Sequence, residues 1–379
     1  MSDWGFVASL VLARIAFGYQ FQSLASLGPE LVAQFGLGYA SLGTLIGLYM
    51  APGVFLAFPG GLLGRRFGSR VLVGAGLGLM AGGAFYAALD FNPAGIGVGR
   101  VISGMGAVAL IVMQGKMIGD RFGGPRFMPV MGLLTGAFPV GVGMVALTKG
   151  GLLAVMGPPG LFLAGGAMAV VSLLLFVVSV RDQQPTGPRW SMPSRRECVL
   201  VVIAGLVWTA YNAGYYGFLS YLPSLLAARS HSVAVISAVL TIATWCNLPA
   251  TVLGGAMAAR WGNGRVFLVG TVAGVIAVAG PAFADWPFVW GILFGTAASV
   301  HAGVILAVGT LSARPENRAV GMGLFYTTYY IGGAMLPAVC GGAADYAGTP
   351  AGALVAGALL SALAAPFYGL HRLLQRRWV

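Results

Sequence analysis

Charge is what this chain has least of. Only 8% of its 379 residues are charged, and nine are Asp or Glu, where a soluble domain carries about 25% charged residues. So few charges cannot coat a water-exposed surface, which excludes the ordinary soluble globular class. Cysteine is scarce too. Cys198, Cys246 and Cys340 are scattered and odd in number, which suits neither a disulfide framework nor a metal site; they read as small packing residues. The sequence contains no complete nucleotide-binding loop, zincin pair or nucleophile elbow, so nothing points to an enzyme. No cofactor and no metal are expected. The first apolar run has no basic leader, Asp3 being the only early charge. No small-residue cleavage site follows it, so it reads as a spanning helix rather than a signal peptide.

What is abundant is apolar sequence. The chain is 58% hydrophobic, with a mean hydropathy of +0.88. Hydropathy predicts twelve spanning segments near 6–27, 39–61, 71–89, 95–119, 128–148, 161–180, 198–222, 233–258, 266–284, 288–311, 319–343 and 351–370. A helix crosses a bilayer in about 20 apolar residues. A closed barrel would need short alternating strands instead, and these runs are continuous. The expected fold is therefore an all-α polytopic membrane protein of twelve transmembrane helices.

The few charges are placed unevenly. With a cytoplasmic N-terminus, the inside loops hold Arg65, Arg66, Arg70, Arg121, Arg126, Arg181, Arg189, Arg195, Arg196, Arg260, Arg265, Arg314, Arg318, Arg372, Arg376 and Arg377. Outside or at that edge fall Arg229, Lys149, Glu30, Asp90, Asp285 and Asp345. This bias predicts an inner-membrane protein with both termini cytoplasmic. The net charge of +12 is then topology and contact with anionic lipid, not a nucleic-acid footprint.

The longest polar stretch, RDQQPTGPRWSMPSRRE at 181–197, falls near the midpoint. Rich in Pro and Arg, it reads as a cytoplasmic linker between a six-helix bundle at 1–180 and another at 198–379. The halves align at a shift of 194: Pro29 meets Pro223, Gly61 meets Gly255, Arg66 meets Arg260 and Gly68 meets Gly262. At a shift of 191, Met131–Leu133 meets Met322–Leu324. Repeats of this kind build secondary transporters.

Four stretches carry a resemblance. GLLGRRFGSR at 61–70 is similar to motif A of the major facilitator superfamily, and GAMAARWGNG at 255–264 to its fainter copy. GRVISGMGA at 99–107 is similar to that family's helix-4 motif, and GAFPVGVG at 136–143 to a loose form of its antiporter motif. The resemblance implies two pseudo-symmetric halves around a central cavity lined mainly by helices 1, 4, 7 and 10, and transport by alternating access. It implies gating roles for Gly61, Arg65, Arg66 and Gly68. It also exposes a departure. The motif's fifth position is usually an aspartate that closes the cytoplasmic side near the start of helix 11; here it is Arg65, and its repeat is Ala259. A cation there faces the positive end of a helix dipole. A swapped polarity, with Arg65 or Arg66 pairing with Glu316, is the expectation in its place.

Charge inside a span costs at least about 2.5 kcal/mol on insertion scales, so each case asks for a reason. No Asp or Glu lies well inside any predicted span, whereas Arg14, Arg100, Lys116 and His301 do. Unpaired cations without carboxylates point to a small anionic substrate, organic or inorganic. Arg14, with Gln22 on its stripe, either coordinates that anion or packs against carbonyls of neighbouring helices. For Arg100, which shares a face with Gln114, the resemblance implies proton handling or helix packing. His301 either couples a proton or sits neutral and hydrogen-bonded. Tyr211, Asn212 and Tyr215 share one face of segment 7 and suit the orientation of a small polar ligand. The substrate-site set is thus Arg14, Gln22, Arg100, Gln114, Tyr211, Asn212, Tyr215 and His301. Lys116 is expected to pair with Asp120, and Lys149 to snorkel outward. Gly74, Gly78 and Gly82 suggest close helix packing. The expected partners are this solute, a coupling proton or counter-anion, and the bilayer, with no nucleic acid and a monomeric chain. The rivals are an exporter of neutral or lipophilic compounds and a transporter-like sensor or partner subunit that moves nothing.

Overall fold

The computed structural model describes residues 3–122, 126–180, 193–314 and 317–378. Among them every regular element is a helix. In chain order these are α1 (Asp3–Ser26), α2 (Gly28–Phe35), α3 (Tyr39–Gly47), α4 (Ala51–Phe67), α5 (Ser69–Leu89), α6 (Pro93–Arg121), α7 (Phe127–Met156) and α8 (Pro159–Ser179). From Arg195 onward come α9 (Arg195–Ala228), α10 (Val233–Trp245), α11 (Asn247–Trp261), α12 (Asn263–Phe283), α13 (Pro287–Thr296), α14 (Ala302–Leu311), α15 (Arg318–Ala347), α16 (Ala351–Ala362) and α17 (Ala364–Trp378). Ten helical stretches among the described residues are long and apolar enough to cross a membrane.

Several spans are broken, and the sequence says where. Pro29, Pro52, Pro249 and Pro366 each sit in the first turn of α2, α4, α11 and α17. A proline has no N–H, so the first turn, whose donors lack intrahelical partners, tolerates it while the ladder before it opens. The break between α13 and α14, at 297–301, contains no proline. It is held by short-range turns, such as the Ser299 amide donating to the Thr296 carbonyl at 3.1 Å. Elsewhere helices end on polar caps: Asn92 accepts from the Gly95 amide at 2.9 Å, and Ser194 and Glu197 form a capping box at the head of α9.

The helices up to Ser179 pack mostly on one another, through α1 with α7 and α8, and α5 with α6 and α8. Those from Arg195 onward do the same, through α9 with α15 and α16, and α12 with α16. Three seams join the two groups: α3 and α4 against α15, α7 against α10, and α1 against α9. Gly68 and Gly262, which head α5 and α12, share one left-handed conformation, with φ of 83° and 86° and ψ of 147° and 145°.

The stripe expected from Gly74, Gly78 and Gly82 is not the packed one. A Cβ at Gly78 or Gly82 meets nothing within 4 Å, and one at Gly74 only the end of Leu173. The close approach runs along Gly76 and Gly83, which face Gly106 and Gly99 of α6. Four glycines at seven-residue spacing let two backbones touch, the packing that replaces the hydrophobic drive in lipid. Gly83→Ala puts a methyl group 2.5 Å from the Gly99 carbonyl oxygen. It is expected to cost about 1–3 kcal/mol and to lower the unfolding temperature of the purified protein. Gly78→Ala is expected to leave it unchanged.

Candidate functional site

The seams carry the chemistry, because they are where polar side chains meet across the two helix groups. Arg14 lies on α1, half-buried, facing this interface. Its guanidinium carbon sits 5.3 Å from the centre of the Phe17 ring and 5.8 Å from that of Phe138 on α7. Tyr326, Tyr329 and Tyr330 of α15 lie within electrostatic range from the other side. Arg14 makes no hydrogen bond or ion pair among the described residues, and its buried Nε has no partner. Residues at i, i+3 and i+4 share a helix face, so Tyr326, Tyr329 and Tyr330 form one stripe, and Arg14 and Phe17 another.

Aromatic rings line the rest of the seam. Phe17 and Phe138 approach to 5.1 Å between ring centres, Phe21 and Phe138 to 5.5 Å, and Phe21 reaches Tyr216 of α9 at 6.2 Å. The Tyr216 hydroxyl donates to that of Tyr329 at 3.2 Å. Trp208 lies 5.1 Å from Tyr211 and 6.3 Å from Tyr329.

The eight residues expected to share one site do not all come together; Tyr211, Tyr215 and His301 line one small cavity, and the other five are not among its lining residues. Arg100, 2% exposed, is enclosed within the first helix group. It donates to the carbonyls of Gln20 at 2.7 Å and Ile46 at 3.1 Å, with its guanidinium 4.4 Å over the Tyr49 ring. It therefore ties α6 to α1 and α3. Gln114 is fully enclosed and donates to the Leu10 carbonyl at 2.9 Å. Gln22 bridges the groups, donating to the Leu219 carbonyl of α9 at 2.9 Å. Asn212 turns back on its own helix, to the Trp208 carbonyl at 2.8 Å. The Tyr215 hydroxyl accepts from Asn247 at 2.9 Å, beside the α10–α11 break. Tyr211 and His301 stack edge to face at 5.0 Å and line a small cavity inside the second group with Thr271 and Ser361. His301 ends the break between α13 and α14, and its Nδ1 has no partner. Of the eight, Arg14 is the cation at the seam.

At one end of the molecule the two helix groups are tied by a residue the sequence marked only as an edge charge. The Asp345 carboxylate, near the end of α15, accepts from the amides of Tyr39 at 2.7 Å and Ala40 at 2.8 Å, the first of α3. A carboxylate at a helix N-terminus satisfies orphan donors and the dipole together. The Tyr221 hydroxyl contacts the Tyr39 carbonyl at 3.1 Å and donates a short bond to the Pro337 carbonyl. Lys149, expected to snorkel, is 5% exposed; its Nζ donates to the Ser26 carbonyl at 2.6 Å and pairs with Glu30 at 2.8 Å. The expected Lys116–Asp120 pair forms, at 2.6 Å.

At the opposite end, Gly61, Arg65 and Arg66 fall in the last turns of α4. The side chains of Arg65 and Arg66 and all of Glu316 lie outside the described residues, and so does the expected pair. Gly68 is the left-handed residue that turns α4 into α5. Glu197 holds the loop before α15, accepting from the Arg314 amide at 2.8 Å and from Asn317 at 3.1 Å.

Comparison with known proteins agrees with this architecture. A 112-residue stretch is 32% identical to the inner membrane transport protein YajR of Escherichia coli (strain K12). The match spans 30% of this chain and 24% of that protein's length. A family model described as Major Facilitator Superfamily matches residues 10–231 and 199–376. With ten apolar helical stretches fit to span among the described residues and a family match over nearly the whole chain, this multi-pass membrane protein belongs to the major facilitator superfamily, a family of transporters.

Proposed function

We propose that the chain is a secondary transporter that carries a small anion across the inner membrane by alternating access between two six-helix halves. The observation that carries the reading is Arg14, a cation at the seam with no counter-ion among the described residues. An unpaired charge in a low-dielectric setting costs several kcal/mol, and a bound anion offsets that cost. Twelve spans follow when α15 is added to the ten and α13 with α14 counts as one broken helix. The halves then divide within the expected linker at 181–197, whose last residues, from Arg195, already belong to α9. The shared backbone of Gly68 and Gly262 supports this repeat, as do the two family-model matches. The basic loops support cytoplasmic termini, and the printed name of the Escherichia coli relative supports the inner membrane.

The Asp345 contact supports a state closed on the outer side, since it joins α15 to α3 across the halves. Alternating access requires this contact to open in each cycle. The aromatic walls favour a second reading, export of neutral lipophilic compounds, which has no use for Arg14.

Uptake of labelled organic and inorganic anions into proteoliposomes separates the two. Arg14→Gln is expected to lower anion uptake at least about tenfold while leaving a monodisperse, folded protein. Unchanged uptake would remove Arg14 from the site. Arg100→Gln is expected to act mainly on stability, by about 1–3 kcal/mol for the lost buried bonds. For the closed end, Ser224→Cys in a cysteine-free background reports opening, because Ser224 is 4% exposed beneath this seal. Asp345→Ala is expected to speed its labelling by an impermeant thiol reagent, and equal rates would show that Asp345 does not hold the end shut.

A further inference from the structure

The interior cations divide by what neutralises them. Lys149 pairs with Glu30, Lys116 with Asp120, and Arg121 with Asp3. Arg100 has no carboxylate but gives its terminal nitrogens to two carbonyls. Arg14 has neither. Among the described residues, Arg14 is thus the cation beside the aromatic rings of the seam that lacks such a partner.

The walls around it are apolar and flat. Phe17 and Phe138 lie against the guanidinium on one side. The phenols of Tyr326, Tyr329 and Tyr330 of α15 lie within electrostatic range of it. Tyr329 is already bonded to Tyr216. Tyr326 and Tyr330, one turn apart on α15, bring two more phenols within electrostatic range of Arg14. Resting on the reading of Arg14 as the anion site, we propose that the substrate is a monovalent organic acid with a flat apolar body, in its simplest form an aryl carboxylate, and that dianions are rejected.

Each part of such a ligand has its match. The two carboxylate oxygens meet the planar guanidinium fork, which suits bidentate recognition. The phenol hydroxyls donate to lone pairs left over. The ring packs in offset or edge-to-face contact with Phe17, Phe138 and the tyrosines. A second carboxylate beside those rings finds no second free cation among the described residues and enters the seam unpaired. A small inorganic anion takes the charge but leaves the aromatic walls unfilled, and a neutral arene fills the walls but leaves Arg14 unpaired.

A matched set tests this on the purified full-length chain at neutral pH, read as ligand-induced shifts in unfolding temperature. The set is benzoate, acetate, isophthalate and benzamide, with inorganic phosphate alongside. Benzoate is expected to act at concentrations at least about tenfold below those of the other four. Arg14→Gln is expected to abolish the benzoate shift. Phe138→Ala is expected to weaken benzoate and leave the small response to acetate unchanged. Isophthalate or phosphate acting as strongly as benzoate, through Arg14, overturns the monovalent inference while the anion reading stands. Benzamide matching benzoate, with no effect of Arg14→Gln, overturns both. A flat response to benzoate in the wild type overturns the inference, and the anion reading is then decided by the uptake panel.

Discussion

In a chain this poor in charge, the governing constraint is that every polar group inside the helices must find a partner within the protein. Most of the structure obeys it. Arg100 binds two carbonyls, Gln20 donates to the carbonyls of Met80 and Gly165 at 3.0 Å each, and Lys149 binds both a carbonyl and a carboxylate. These bonds fix which helices are neighbours. Arg14 breaks the rule, and it does so at the seam between the two helix groups rather than inside either. A half-buried cation whose enclosed Nε has no partner among the described residues is weak as a packing element and strong as a place for a ligand.

The fold was largely legible in the sequence, because bilayer thickness and hydropathy leave few alternatives to spanning helices. Prolines mark most of the breaks, although the hydropathy segments run straight through Pro52, Pro249 and Pro366. The gap between α13 and α14 was not legible, since no proline marks it and the run is apolar throughout. The glycine stripe was misread for a related reason. Spacing alone offered Gly74, Gly78 and Gly82, but the face that a helix turns inward depends on its neighbour, and α6 supplies glycines opposite Gly76 and Gly83.

The site was legible only in part. A lone arginine deep in an apolar run was visible as a question, and the structure places it at the seam. Arg100 and Gln114 looked alike in sequence yet lie inside the first group, because distance along a helix says nothing about which side faces the other half. Tyr326, Tyr329 and Tyr330 had the right spacing for one face, but only the fold brings that face to Arg14. Asp345 was visible only as an edge charge. Its contact with the head of α3 joins residues 306 apart in sequence, which no local pattern reveals. The departure at Arg65 from the family's usual aspartate thus coexists with a carboxylate-to-helix-head contact at the other end of the molecule.

The central claim is that an anion neutralises Arg14 at the seam. It is tested most directly by the charge displaced when an aryl carboxylate is jumped onto the protein in a membrane adsorbed to an electrode. The wild type is expected to give a transient of the sign of an anion entering, and Arg14→Gln none. An equal transient in Arg14→Gln, or no transient in the wild type, would contradict the account.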